Sequence, residues 1–284
     1  MRSLSFLVLA SLIGCTSSAP PVEPVATAAP SPTEAPPPAS ASASVPAPAP
    51  AAPEAIEIPP AIRAAVDASD RSGDDRALDD GRHPAEMLAF FGVAPGMRVA
   101  ELGAGGGYTS ELLARAVGPT GRVFGQNTKF ILEKFAEKPW SERLKKPLMK
   151  NVARVDREFD DPLPPDAKDL DAVFVVLFYH DLYWMKVDRA KMNKAVFAAL
   201  KPGGAYAIVD HAARAGAGDS EVQTLHRIEE KTLRADIEAA GFRLEKEGRF
   251  LRNAADTKDW NASPSGAAER RGTTDRFVLL FRKP

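Results

Sequence analysis

Two hydrophobic rhythms alternate along the chain from about residue 60 onward. Short continuous apolar runs of strand length are separated by segments whose apolar residues recur at helical spacing. The runs predict strands ending at Glu101, over Gly121–Asn127, Val152–Val155, Leu170–Phe178 and Ala205–Val209, and then over Phe242–Leu251 and Asp275–Arg282. Leu170-Asp171-Ala172-Val173-Phe174-Val175-Val176-Leu177-Phe178 is the strongest of them. A near-continuous apolar run rich in β-branched residues suits a central parallel strand covered on both faces. The helical spacing predicts Ile62–Ala68, Pro84–Phe91, Thr109–Val117 with Leu112, Leu113 and Ala116 on one face, a helix capped by Asp188 and running to Leu200, and Glu229–Ala240. Glycines or Gly-Pro stop several of these, at Gly92, Gly118-Pro119 and Gly241. Strand and helix in turn give an α/β chain with a seven-stranded, mostly parallel sheet, helices on both faces and an antiparallel last strand.

The first part of the chain has neither rhythm. Met1-Arg2 and the short apolar run Leu4–Ile13 read as a signal segment, too short to span a bilayer. Leu12-Ile13-Gly14-Cys15 resembles a bacterial lipoprotein lipobox, which implies cleavage before Cys15 and its acylation. Thr16 after the cysteine, where Asp would be the retention residue, resembles the outer-membrane-directed pattern. An ordinary secretory signal with an incidental cysteine, or a misassigned start, is the alternative. Pro, Ala and Ser then dominate to about residue 57, a composition that cannot bury enough apolar surface to order itself. Such a tether reaches on the order of 120 Å when extended. The expected organisation is a signal peptide over 1–14, a disordered tether over 15–57 and one α/β domain over 58–284. The expected location is exported, lipid-anchored, at the periplasmic face of the outer membrane.

Composition narrows this picture in two ways. A net charge of -1 gives no bulk attraction to nucleic acid or anionic lipid, so the expected partner is a small molecule, with membrane contact only through Cys15. That single cysteine excludes intrachain disulfides and cysteine zinc sites.

The chemistry-bearing stretch is Val99-Ala100-Glu101-Leu102-Gly103-Ala104-Gly105-Gly106-Gly107-Tyr108-Thr109. Glycines after a strand let the backbone turn sharply and bring a ligand against main-chain N–H groups at a helix N-terminus. A dinucleotide fingerprint would need glycine at position 108, which is Tyr108. The spacing Glu101-x-Gly103-x-Gly105-x-Gly107 instead resembles the first motif of class I S-adenosylmethionine (SAM)-dependent methyltransferases. Leu200-Lys201-Pro202-Gly203-Gly204 before a strand is a second feature of that class. The wider pattern over 71–284 is similar to a group of bacterial predicted methyltransferases, through Tyr179-His180-Asp181-Leu182, Ile208-Val209-Asp210-His211, Leu225-His226-Arg227-Ile228 and Thr274-Asp275-Arg276-Phe277. The resemblance implies a Rossmann-like fold, SAM as cofactor, and methyl transfer to an unidentified acceptor. It implies cofactor contacts from Glu101, Gly103, Ala104, Gly105 and Gly107, from the end of the second strand, and from Glu158 or Asp160 at the adenine amine. Where the family has an acid for the ribose hydroxyls, this chain has Asn127, with Gln126 beside it. Phe178 or Tyr179 can face a sulfonium or an aromatic substrate, or belong equally to the core.

Ligands of open α/β sheets bind beyond the carboxyl ends of the strands. Two of the four histidines, His180 and His211, follow the two central strands directly. His180 is the first candidate for the base that takes a proton from the acceptor and His211 the second, with Tyr179 and Asp181 beside them. Two rival readings use the same residues. His180, Asp181, Asp210 and His211 together suit a divalent metal, and an exported module could keep the fold for binding alone. The charged segment Arg71–His83 reads as a solvated loop with ion pairs or as a lid carrying an arginine for the SAM carboxylate. The basic stretch Lys129–Lys150 with Trp140 reads as a surface helix, with part of a substrate wall as the alternative. Arg252–Thr274 is a long polar loop suited to a lid or binding loop, and Arg270 and Arg271 read as solvated within it, with recognition of an anionic substrate as the alternative.

Overall fold

A computed structural model describes residues 55–284. The expected signal segment, Cys15 and the tether up to residue 54 lie outside the described residues. The strands are β1 (Arg98–Leu102), β2 (Arg122–Asn127), β3 (Val152–Asp156), β4 (Leu170–Val176), β5 (Leu200–His211), β6 (Arg243–Gly248) and β7 (Arg276–Arg282). They form one sheet in the order β3-β2-β1-β4-β5-β7-β6. β1 to β5 are parallel, and β7 runs antiparallel to both neighbours. The order reverses between β1 and β4, the switch point where such sheets open a crevice.

The helices are α1 (Pro60–Asp67), α2 (Gly73–Arg76), α3 (Asp79–Arg82), α4 (Pro84–Phe90), α5 (Tyr108–Val117), α6 (Lys129–Ile131), α7 (Glu137–Leu144), α8 (Asp181–Trp184), α9 (Arg189–Ala199), α10 (Val222–Leu225) and α11 (Glu230–Ala239). A π-helical turn over Leu132–Ala136 joins α6 to α7. Asp188 caps α9 as expected, its carboxylate accepting from the Lys191 N–H at 2.9 Å. Val173, Phe174, Tyr206, Ile208, Phe277 and Phe281 form the centre of the core and are closed to solvent. The three neighbouring strands β4, β5 and β7 thus have little freedom to slide, because a one-residue slip would move each buried side chain to the other face.

Three expectations change. Lys201-Pro202-Gly203-Gly204 is the bulged start of β5 rather than a turn before it. Leu200 already pairs with Leu170, the register then shifts, and Gly203 and Gly204 exchange hydrogen bonds with Lys283 beyond β7. The segment 129–150 is not a surface helix throughout, because Trp140 is fully buried. Its indole fills the space over two glycines: a Cβ at Gly107 would lie 2.4 Å from it, and one at Gly125 2.7 Å. The loop 252–274 is also well anchored. Arg227 and Asp256, both closed to solvent, pair at 2.7 Å, and Ala262 donates to the Leu225 carbonyl at 2.9 Å.

Candidate functional site

The glycine loop leaves β1 at the switch point and enters α5. Gly103, Gly105 and Gly107 have φ of +69, +55 and +83°, conformations that favour glycine. Its backbone is braced from the second strand. Gln126 accepts from the Gly103 N–H at 3.0 Å and donates to the Arg157 carbonyl at 2.6 Å. Asn127 accepts from the Gly105 N–H at 2.8 Å and donates back to the Gly105 carbonyl at 3.1 Å. From the other side Arg143 of α7 donates to the Gly106 carbonyl at 2.6 Å and pairs with Asp75 and Glu111. Arg143 and Trp140 escape a sequence reading because nothing local links α7 to the loop.

Glu101 lies beneath this loop, buried, accepting from the Ser110 hydroxyl. Burial pushes its carboxyl up to about 7, against the hydrogen bonds of Ser110 and Thr109. Phe178 covers Gly103 so closely that a Cβ there would stand 2.8 Å from its ring. Phe159 stacks on Phe178 with ring centroids 5.2 Å apart. Among the described residues, nothing but its chain neighbours comes within 4 Å of a Cβ placed at Gly105.

These residues fit SAM in part. The turned, braced loop, the buried acid and the aromatic pair suit an adenosyl amino acid. The second strand differs: Asn127 is fully buried, and its amide bonds both backbone groups of Gly105. Ala104 is tied into the loop, its N–H donating to the Gln126 carbonyl at 2.9 Å. Glu158 is exposed and accepts from the Lys129 N–H at 3.3 Å. Asp160 pairs with Lys191 at 2.9 Å.

Beyond β4 and β5 the structure gathers the histidines. The chain leaves β4 through Leu177, whose φ of +56° is a strained conformation for a bulky residue. The strain turns Tyr179 into the core, where its hydroxyl accepts from Asn193 at 2.8 Å, and places His180 against Asp210. One Asp210 carboxylate then holds both strand ends. It accepts from the His180 N–H at 2.8 Å, meets His180 Nδ1 at 2.7 Å and accepts from the His211 N–H at 2.7 Å. His180 Nε2 faces His226 Nδ1 at 3.3 Å and Asp181 Oδ1 at 3.3 Å. Burial alone would favour a neutral His180, but the carboxylates of Asp210 and Asp181 prevail and push it up to about 10. Burial and the positive charge on His180 hold His211 well below the usual imidazole range. His211 Nδ1 meets the Thr274 hydroxyl at 2.8 Å, the one side-chain hydrogen bond of its ring among the described residues. His180, His211, Asp181 and Asp210 therefore do converge, and His226 joins them from α10. Tyr179 does not.

The charged segment before β1 is mostly clamped. Arg71 binds Asp79 through both ends at 2.6 and 2.7 Å, and the Tyr108 hydroxyl donates to the same carboxylate at 2.7 Å. Arg82 is different. Its guanidinium lies over the Tyr108 ring at 4.3 Å and has no carboxylate partner among the described residues. Arg82, Thr109, Leu177 and Arg276 line one small crevice at the strand ends.

Comparisons with known proteins agree with this geometry. The family model for protein-L-isoaspartate(D-aspartate) O-methyltransferase (PCMT) matches residues 66–155, the stretch that carries the glycine loop. A SAM-dependent methyltransferase from Aquifex aeolicus superposes with a TM-score of 0.50 at 20% identity, over 74% of this chain and 97% of that one. A chain from the complex of the Haloferax volcanii Trm112 methyltransferase activator with a candidate methyltransferase gives 0.51 at 20% identity, over 74% and 93%. A candidate sarcosine dimethylglycine methyltransferase from Galdieria sulphuraria gives 0.53 at 19% identity, over 74% and 86%. The fold is that of the class I SAM-dependent methyltransferases, Rossmann-like with an antiparallel seventh strand.

Proposed function

We propose that this protein is a SAM-dependent methyltransferase acting on a small-molecule acceptor. The observation that carries the reading is the position of the Gly103–Gly107 loop, at the switch point of the sheet and above the buried Glu101. The match of the PCMT family supports it. That match ends at residue 155, before the strands that carry the histidines, so an isoaspartyl acceptor is not taken over with it.

SAM supplies an already activated methyl group, so the protein's work is positioning and proton removal. Gly103, Ala104, Gly105 and Gly107 would hold the amino-acid and ribose end, with Glu101 toward its ammonium and Arg82 toward its carboxylate. Phe178, stacked on Phe159, would be the wall of the adenosyl site. His211 is the proposed proton acceptor, because its ring makes one side-chain hydrogen bond among the described residues, through Nδ1, whereas both ring nitrogens of His180 have partners. Asp181 and Asp210 hold His180 in place. Tyr179 supports the wall from inside the core.

Calorimetric titration of the full chain with SAM and with S-adenosylhomocysteine tests the reading. We expect both to bind with a stoichiometry of about one, since both carry the adenosyl and amino-acid groups the loop would hold. Absence of binding by both, with and without divalent metal, would overturn it. We also propose that the protein is exported and anchored through Cys15. Cys15→Ser should then move it from the membrane fraction to the soluble fraction; retention in the membrane contradicts the anchor.

A further inference from the structure

Beyond β4 three potential ligand atoms stand together: His180 Nε2, His226 Nδ1 and Asp181 Oδ1. Their separations are 3.3 Å between the two imidazoles, 3.3 Å from His180 to the carboxylate and 3.1 Å from His226 to it. Ligands about 2.1 Å from one ion lie about 3.0 Å apart at a right angle and about 3.4 Å apart at the tetrahedral angle. All three distances fall in that window.

The hydrogen bonding of the cluster makes the same point. Trp184 Nε1 already donates to Asp181 Oδ1 at 2.6 Å. Without a cation, either His180 Nε2–H is shared between that oxygen and His226 Nδ1, or both imidazoles donate to the oxygen and bring its donors to three. A carboxylate oxygen has two lone pairs. A cation would accept both imidazole lone pairs and one from Oδ1, leaving the other for Trp184. The supporting shell is also present. Asp210 engages His180 Nδ1 at 2.7 Å, so a metal would displace the proton of Nε2 while Nδ1–H stays on the carboxylate. His226 is held at φ +51°, aimed inward from the end of α10. The His180 side chain is 3% exposed and that of His226 24%, so the cluster is buried on one side and reachable on the other.

We propose that His180, Asp181 and His226 form a binding site for one first-row transition-metal dication, with Asp210 as the positioning residue for His180. Two imidazoles and one carboxylate favour such ions over magnesium or calcium, and three protein ligands leave coordination positions open. The site differs from the set read in the sequence: His226 replaces His211 and Asp210. It does not depend on methyl transfer. Under that reading, the open positions would hold an acceptor oxygen close to His211, whose ring centroid is 5.7 Å from that of His180.

The test is titration of the chelator-stripped full chain with Co²⁺, read by its visible d–d absorption, followed by competition with Zn²⁺; neither needs SAM. One equivalent of Co²⁺ should give an intense spectrum that Zn²⁺ abolishes. Asp181→Asn and His226→Asn should each weaken binding at least about 100-fold, and Asp210→Asn about 10–100-fold. His83→Asn, which removes an exposed imidazole elsewhere, should change nothing. Circular dichroism establishes that each variant is folded. Asn tolerates positive φ, so His226→Asn is informative even where other changes unfold the protein. A folded wild type without the spectrum, or His226→Asn binding Co²⁺ as tightly as wild type, overturns the site.

Discussion

Glu101 couples the loop to pH. Its folded carboxyl is pushed up to about 7 from an ordinary value of 4.5, chiefly by burial. The folded chain therefore keeps a proton that the unfolded chain loses between those values. Stability falls as pH rises through that window and is lowest above it, by up to about 3 kcal/mol. Urea denaturation at roughly pH 5 and pH 8 should show this slope in wild type and lose it in Glu101→Gln, which can still accept from Ser110. A ligand ammonium beside Glu101 favours its charged form, so adenosyl-ligand affinity should tighten as pH rises through 7 in wild type only. Gly103→Ala combines a φ of +69° with a Cβ 2.8 Å from Phe178. It should cost about 1–3 kcal/mol in thermal denaturation and weaken SAM binding with it. The residue scale is also where the sequence was least legible. Its spacing put Asn127 at the end of the second strand, as observed. Nothing in it showed that the amide would close onto Gly105, because the direction of a side chain depends on a loop folded from elsewhere. The same holds for Tyr179, adjacent to His180 yet facing the opposite way.

At the scale of elements, the strands were readable because continuous apolar runs are what doubly covered strands require. Interactions between distant elements were not. Leu225-His226-Arg227-Ile228 stood out only as part of a family pattern, yet it supplies both a cluster imidazole and a buried cation. The Arg227–Asp256 pair holds the 252–274 loop to α10, and Arg227 also lies over Trp260 at 4.8 Å. Asp256→Asn leaves that guanidinium buried without its charge partner, so it should destabilise the fold by about 3–5 kcal/mol in urea titration. Thr274 ends the same loop and touches His211, so the variant should also lower turnover in the fraction that remains folded. The N-terminal segment meets this loop closely. A Cβ on Gly81 would stand 2.7 Å from Gly272 Cα, next to Arg276, which donates to carbonyls of both glycines. Gly81→Ala should accordingly loosen the crevice lined by Arg82, raising limited proteolysis around residues 80 and 272 while the sheet stays protected.

For the whole molecule, the sheet order decides where everything else can be. Five parallel strands with a switch between β1 and β4 put the glycine loop, Phe178 and the histidine cluster along one edge. The proposed donor side rests mainly on the glycine loop within residues 66–155, the stretch that matches PCMT, and the proposed acceptor side on residues beyond it. This division also explains what the sequence could yield: a cofactor class from local spacing, but no acceptor, since the proposed acceptor face draws on β4, β5, α10 and the loop before β7. The most direct measurement is a crystal structure of the full chain grown with S-adenosylhomocysteine. We expect the thioether ligand along Gly103–Gly107, with Phe178 moved off Gly103 to wall the adenosyl group and the ligand sulfur directed toward the His211 side. A structure in which saturating ligand leaves Phe178 packed on Gly103, or binds away from the β1–β4 switch point, would contradict methyl transfer at this site.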